Sequence, residues 1–501
     1  MPIMSNAVCR PAKWLSSTLA SFDYTAPVTV PRRKLLLVEL NEINWSVVDQ
    51  LIAERGADFL PNFTRLRRDA TWGAPQALER PPLLDPWITW VSVHTGVAHD
   101  VHGARILEQD AATVTAKRTW EYAADAGLRV GVFGSVGAYP PRPINGFVVP
   151  GPFAPGDDTY PPALQPVQRL NRLHTQAHGG SRARQSLAAM LATGLRLLRL
   201  GLRPATCLAV ASQLLRERLD PARGWRRVIL QPLVNFDFFA YQYRRVRPDF
   251  ATWHSYHAAH FMHHYWRAWN DEHFATRGPP EEKVRYGEAV PLGYQVCDQL
   301  LGRFLDLIDD DTVLMICSSM GQQPYVNAAY RDGKVILRFK AIQDFLGRIG
   351  AVGVTEVVQT MVPQFNLRVP DRDQRQQLLQ RLVGTRRVCV DDATAGFAVE
   401  ETGEILTVTP LGMPERRTDV AYEVPGTPEP IPFADAFVMD APTVKQGMHH
   451  PDGLLIIHGR GVPRGKRLET CDNLDLAPTL LSILGITPPS SMTGRALVHL
   501  A

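Results

Sequence analysis

The sequence predicts an α/β domain: a mainly parallel sheet sandwiched by helices, with a helical insertion that caps it. Three features predict this class. Apolar runs of strand length, led by Lys34–Leu40, are each followed by segments of helical character; the alternation recurs along the chain; and a stretch of different texture, residues 155–285, interrupts it.

Residues 1–33 read as an extension that ends in the breaker-rich APVTVPRRK. Lys34–Leu40 (KLLLVEL) has the continuous apolar character of a strand buried on both faces, so the core starts there. A helix is expected over Trp45–Glu54, closed by Gly56, and a second over Pro61–Arg68, where proline suits the first helical turn. Leu128–Phe133 and Gly146–Pro152 continue the alternation as strands. Residues 155–285 read as a helical cap, and the core resumes with a helix over Tyr294–Leu307, a strand over Thr312–Cys317, a strand over Gly453–Gly459 and a closing helix over Leu474–Leu484. The division expected is therefore extension 1–33, core 34–154 and 286–501, and cap 155–285.

At 501 residues the chain is long enough for a large core plus an insertion, and 45% apolar with 21% charged residues is ordinary for a globular protein. A formal charge of +4 is too small a bias to argue for nucleic acid. The six cysteines are scattered, without a CxxC pair, which fits neither a zinc finger nor a disulfide framework and suits a reducing, cytoplasmic setting. The start lacks the apolar stretch of a secretory signal, and no run reaches the length of a membrane span. Leu187–Leu219 is rich in Leu and Ala but broken by Arg196, Arg199, Arg203 and Pro204; it reads as two amphipathic helices that either pack on the core or dock on an anionic membrane surface.

Four motifs occur in a fixed order. KLLLVELNEINW is followed by LPNFTRLRRDATWGA; then comes Trp90-Val91-Ser92-Val93-His94-Thr95-Gly96 with His102-Gly103; the fourth is a C-terminal pair, Gly447-Met448-His449-His450-Pro451-Asp452-Gly453 and Asp475-Leu476-Ala477-Pro478-Thr479-Leu480-Leu481 with Gly485. In content and order these resemble the alkaline phosphatase superfamily, most closely its type I phosphodiesterase, nucleotide pyrophosphatase and sulfatase-like members. The resemblance covers about Lys34–Pro152 and Tyr286 to the C-terminus. It implies an alkaline-phosphatase-like core, a hydroxyl nucleophile and two divalent metals held by Asp and His.

Against that pattern the site residues are changed. Asn41 stands where the resemblance implies a metal-binding Asp, flanked by Glu39 and Glu42; the nucleophile position falls at Pro86 or Asp85, beside Trp87, with Thr89 the nearest hydroxyl. Asp85 reads either as a ligand, base or carboxylate nucleophile, or as a helix cap. Two further ligand positions are Ser319 and Met320, poor partners for a hard ion, with Gln322 and Gln323 following as polar groups for a substrate. His449 matches a ligand position. In HSYHAAHFMHHYWR either His263 or His264 matches another, leaving Ala259 or His260 where the resemblance implies Asp. As a helix this segment would place His257, His260 and His264 on one face able to bind a transition metal. Asp237 is a more distant candidate.

The expectation is at most one divalent metal (zinc, manganese or iron) on His449 with His260, His263 or His264. Asp85, Glu42 and Asn41 would be the reactive polar groups, and Gln322, Gln323 and Trp87 would bind substrate. Two readings stay open: a hydrolase or group transferase acting on a phosphorylated or sulfated small molecule or glycan precursor, or a non-catalytic protein that uses the same cleft for an anionic ligand or protein partner.

Overall fold

The computed structural model describes residues 33–105, 109, 113–176, 194–360, 363–389, 392–439 and 444–500. Most of the expected extension and the first residues of Leu187–Leu219 lie outside the described residues. The centre of the molecule is a seven-stranded sheet. Six strands are β1 (Lys34–Leu40), β2 (Thr71–Gly73), β3 (Val130–Phe133), β4 (Gly146–Val149), β5 (Phe250–Ser255) and β6 (Thr312–Ser318). The seventh, Leu454–His458, lies between β2 and β6, so the order runs β2, Leu454–His458, β6, β1, β5, β3, β4. β1 pairs in parallel with both β5 and β6, and β3 with β5 and β4; Leu454–His458 alone runs antiparallel to its neighbours β2 and β6.

Side chains alternate across the central strand as the pleat requires. Leu36, Val38 and Leu40 enter one core, shared with helices α1 (Trp45–Arg55), α2 (Pro61–Asp69), Leu230–Val246, His257–Trp269 and Ala289–Leu305. Leu35 and Leu37 enter the other, shared with α3 (Pro86–Thr95), Thr119–Asp125 and Leu476–Ile483. A continuous apolar run is thus what a strand covered on both faces needs. The same parity sends Glu39 to the α3 side, where His94 waits.

Helix starts are tied down by side chains. Asn44 caps α1, Asp85 caps α3, and the Asp298 carboxylate accepts from the Asn62 and Phe63 amides at 2.9 and 2.8 Å, pinning the start of α2 to the helix Ala289–Leu305.

The chain departs from expectation in two places. The stretch 155–285 is not helical throughout, because Phe250–Ser255 is a fully buried strand beside β1. Its Phe, Thr and Trp suit a strand, but the segment is short and set among helical, breaker-rich residues; pairing with β1 and β3 on either side completes it. Between β7 (Gly321–Pro324) and the returning strand Gly447–His450, the chain builds two four-stranded antiparallel sheets, β-rich texture that the continuous core expected over 286–501 did not include. They enclose an apolar cluster of their own around Phe339, Phe345, Phe397, Tyr422 and Phe437. The excursion closes where it opened. Gly447–His450 pairs antiparallel with β7, and the following strand pairs antiparallel with β6, which accounts for the one reversed strand of the central sheet.

Phe437 is fully buried with ring centroids 4.4 Å from Tyr422 and 4.6 Å from Phe339. Phe437→Ala is expected to cost about 3–5 kcal/mol. The loss should appear as accelerated hydrogen exchange in residues 335–439, with the β1, β5 and β6 amides remaining protected.

Candidate metal centre

The C-terminal ends of parallel strands leave backbone groups and loops facing one crevice, where ligands of open α/β sheets gather. Here β1 exits into Asn41-Glu42, β5 into the helix His257–Trp269, and β6 into Ser319-Met320 and β7. Glu42 has a φ of 61°, a left-handed conformation that costs a non-glycine residue about 1–2 kcal/mol. That turn folds its carboxylate into the crevice, where the residue is 3% exposed.

Two histidines meet it. His263 Nε2 lies 3.0 Å and His449 Nε2 3.6 Å from Glu42 Oε2, and the three ligand atoms lie within 4.8 Å of one another. Each ring is oriented through its other nitrogen: His263 Nδ1 is 2.9 Å from the Gly447 carbonyl and His449 Nδ1 is 2.6 Å from the Leu84 carbonyl. A carbonyl can only accept, so each Nδ1 carries the proton. A neutral ring of that tautomer presents its Nε2 lone pair toward Glu42, and a protonated ring donates Nε2–H to it instead; the first arrangement is the one that can receive a cation. A divalent ion suits that arrangement, and carbonyl-bound Nδ1–H groups are the usual support of metal-bound histidine. The donor set fits one ion.

The electrostatics agree. Burial raises the Glu42 pKa, but His263 and His449 outweigh it and bring it to about 2, helped by Lys445. Burial pushes His263 below the ordinary imidazole value, with Lys445 acting in the same direction and Glu42 opposing. Burial also lowers the Lys445 ammonium, against the pull of Glu42 and Asp85. A carboxylate, two imidazoles, a softened ammonium and a second carboxylate therefore share the crevice.

Gln446 sets the register that brings the histidines together. Its amide N–H donates to the His263 carbonyl at 2.6 Å, and its side-chain oxygen accepts from the Arg267 amide at 2.9 Å. Those two groups would bond each other in an unbroken helix. Gln446 takes both, the helix kinks at Tyr265 (φ −132°, ψ 17°), and the strand Gly447–His450 is docked beside His263. Gly447 must be glycine: a Cβ there would come within 2.2 Å of Gln322 Oε1 and 2.6 Å of the Met262 carbonyl.

The remaining predicted residues divide into supports and outliers. Asn41 donates to Glu42 Oε1 at 2.8 Å and accepts from Trp90 Nε1 at 2.7 Å. It orients the carboxylate. Gln322 donates to Glu42 Oε2 and to the Ala259 carbonyl, and Gln323 to the His449 carbonyl at 3.3 Å. Asp85 caps α3, accepting from the Trp87 amide at 3.0 Å, while sitting close enough to Lys445 to act on its charge. Trp87 stands edge-on to Phe153, which in turn packs on Tyr256.

The expected His257/His260/His264 face is not where the ligand atoms gather. His257 points the other way, bonded to Ser255 and the Gly293 carbonyl, and burial holds its pKa down at about 4. His260 and His264 pack ring on ring at 4.7 Å, outside the Glu42 group. Asp237 lies on the helix Leu230–Val246, where it accepts from the Arg203 amide.

Sequence reasoning did not reach Lys445 and Gln446, although both directly precede the motif holding His449. Nor did it foresee the fully buried cluster beneath the crevice, in which Glu39 lies 2.9 Å from His254 Nδ1 and 3.3 Å from His94 Nε2 and accepts from Ser135. Burial raises the Glu39 pKa, but these two histidines bring it to about 2. His94 and His254 both pack on Trp90, which bonds Asn41, so this cluster supports the Asn41-Glu42 turn through Trp90.

Gln446→Ala should weaken zinc affinity by about tenfold while His449→Ala abolishes stoichiometric binding, as read by isothermal titration. Burial also brings His102 to about 4, so His102 and His257 both take up protons more readily unfolded than folded. Their contribution to stability is complete above about pH 6.5 and is lost as pH falls from there toward about 4, a decline that thermal melts across this range will show.

No protein-family model and no curated protein matches the chain.

Proposed function

We propose that this protein is a hydrolase or group transferase that uses a single divalent metal and acts on an anionic ester, a phosphorylated or sulfated small molecule or glycan precursor. One observation carries the reading: two imidazole Nε2 atoms with protonated Nδ1 partners converge on one oxygen of Glu42. The order of the four motifs supports an alkaline-phosphatase-like core, with the site at the end of its parallel strands as that fold would have it.

Glu42, His263 and His449 would hold the ion, zinc, manganese or iron, through three ligands on one side, leaving positions open to substrate. Bound there, it supplies Lewis acidity toward an ester oxygen. The rest falls to the chain. Lys445 adds a positive charge beside the site and favours an anion. Asp85, half-buried with one oxygen committed to the Trp87 amide, would be the carboxylate that takes a proton from an attacking water or hydroxyl, or that attacks itself. Trp87 and Phe153 offer an aromatic wall.

The superfamily's other arrangements are filled by different contacts. Thr89 and Ser319, the two hydroxyls nearest the nucleophile and second-metal positions, are buried and bonded to each other at 2.8 Å. Met320 packs with Ala77 and Leu84. Ala259 offers only its carbonyl, to Gln322. The sealed Thr89–Ser319 pair is also what favours the second reading, a binding protein that holds an anion without turning it over.

Elemental mass spectrometry of the purified protein is expected to find about one equivalent of zinc, manganese or iron, lost in both His263→Ala and His449→Ala. Turnover of an aryl phosphodiester or aryl sulfate should fall by about a hundredfold or more in Asp85→Ala with the metal retained. Metal bound equally well by both histidine variants would sink the proposal. Metal lost from both, with anions binding to the wild type but never turned over, would assign the site to the binding protein.

A further inference from the structure

The helix Pro204–Leu219 is turned inside out. Its buried residues are Thr206, Gln213 and Glu217, whereas Leu208, Leu215 and Leu219 are 71%, 60% and 78% exposed. The inward polar face is satisfied: Gln213 bonds Glu217 and the Arg223 carbonyl, and Glu217 pairs with Arg227. At about 100° per residue Leu208, Leu215 and Leu219 fall within about 40° of one another, with Arg216 about 80° to one side and Arg218 about 80° to the other. Both arginines are exposed. An apolar stripe edged by arginine on the solvent side is the pattern of a helix lying in a membrane interface.

The neighbourhood extends the pattern. Leu195 and Leu198 of the preceding helical residues are exposed as well, so six of the fourteen large apolar side chains exposed among the described residues fall between 195 and 219. Residues 194–247 hold eleven arginines against three acidic residues. Each of those three is already engaged: Glu217 by Arg227, Asp220 by Arg223, Asp237 by Arg203. Arg203, Arg244 and Arg245, with Gly201, Asp237 and Tyr241, line an open pocket at the same end of the cap. The cationic excess faces outward.

From this charge complementarity we infer that the cap docks on an anionic membrane surface, inserting Leu208, Leu215 and Leu219 among the acyl chains while the flanking arginines meet lipid phosphates. A second copy of the chain would bring the same arginines against each other, which disfavours it as the occupant. No helix among the described residues is long and apolar enough to cross a membrane, so the contact is peripheral. The docking is independent of the chemistry at Glu42.

The test is co-sedimentation of the full chain with vesicles of phosphatidylcholine alone or mixed with phosphatidylglycerol, with sedimentation velocity in their absence. The wild type is expected to bind the mixed vesicles, more weakly as salt rises, and not the neutral ones. Leu215→Glu with Leu219→Glu, and separately Arg216→Glu with Arg218→Glu, should each weaken binding by about tenfold or more with unchanged circular dichroism and melting temperature. Wild type that ignores both vesicles, binds them equally, or is matched by both variants overturns the inference. A dimer that the Leu215→Glu, Leu219→Glu chain cannot form, without vesicle binding, also overturns it and gives the face to a second copy.

Discussion

A buried carboxylate needs partners held in place around it, and the Glu42 group is built so that nothing in it can turn away. The left-handed turn at Glu42, the carbonyl of Gly447 on His263 and the carbonyl of Leu84 on His449 each fix one member. Those anchors come from the end of β1, from the helix after β5 with the strand that returns to β7, and from the loop before α3. Each element is far from the others in sequence, and the sheet order is what brings them together. The convergence of these three groups is thus a property of the fold.

Support for the ligands is layered. Asn41 and Gln322 hold the two Glu42 oxygens, and Trp90 holds Asn41. Below them Glu39 joins His94 to His254, a buried ionic cluster that stays together because every oxygen of its carboxylate has a partner. Gln446 acts differently: by taking the hydrogen bonds of His263 and Arg267 it trades helix regularity for the placement of His449. Local strain and a broken helix ladder occur at the same site, where surrounding contacts can sustain them.

The cap obeys another logic. In the helix Pro204–Leu219 the polar residues Gln213 and Glu217 are satisfied inward while Leu208, Leu215 and Leu219 face out, a division that no internal packing rewards. The site and the apolar stripe therefore differ in surroundings, one enclosed in a crevice, the other turned to the outside of the protein.

Much of this was open to reading in the chain. Lys34–Leu40, Thr312–Cys317 and the leucine spacing of the closing helix announce themselves, because burial on two faces demands continuous apolar residues and burial on one demands helical spacing. Glu42 and His449 could be named as candidates from their motifs. The choice of His263 over His264 could not be made from sequence, since neighbouring residues on a helix point about 100° apart and only the packing of the returning strand selects between them. Phe250–Ser255 is completed as a strand by pairing with β1 and β3, within a local sequence of mixed character. The strands of residues 335–439 alternate too weakly, with polar residues inside short segments such as FNLR and DATA, to be seen before they pair. The periodicity of Pro204–Leu219 was legible, yet not its direction. Spacing tells which residues share a face; what that face looks upon is decided by the contacts of the whole chain, because burial is a property of neighbours that sequence does not list.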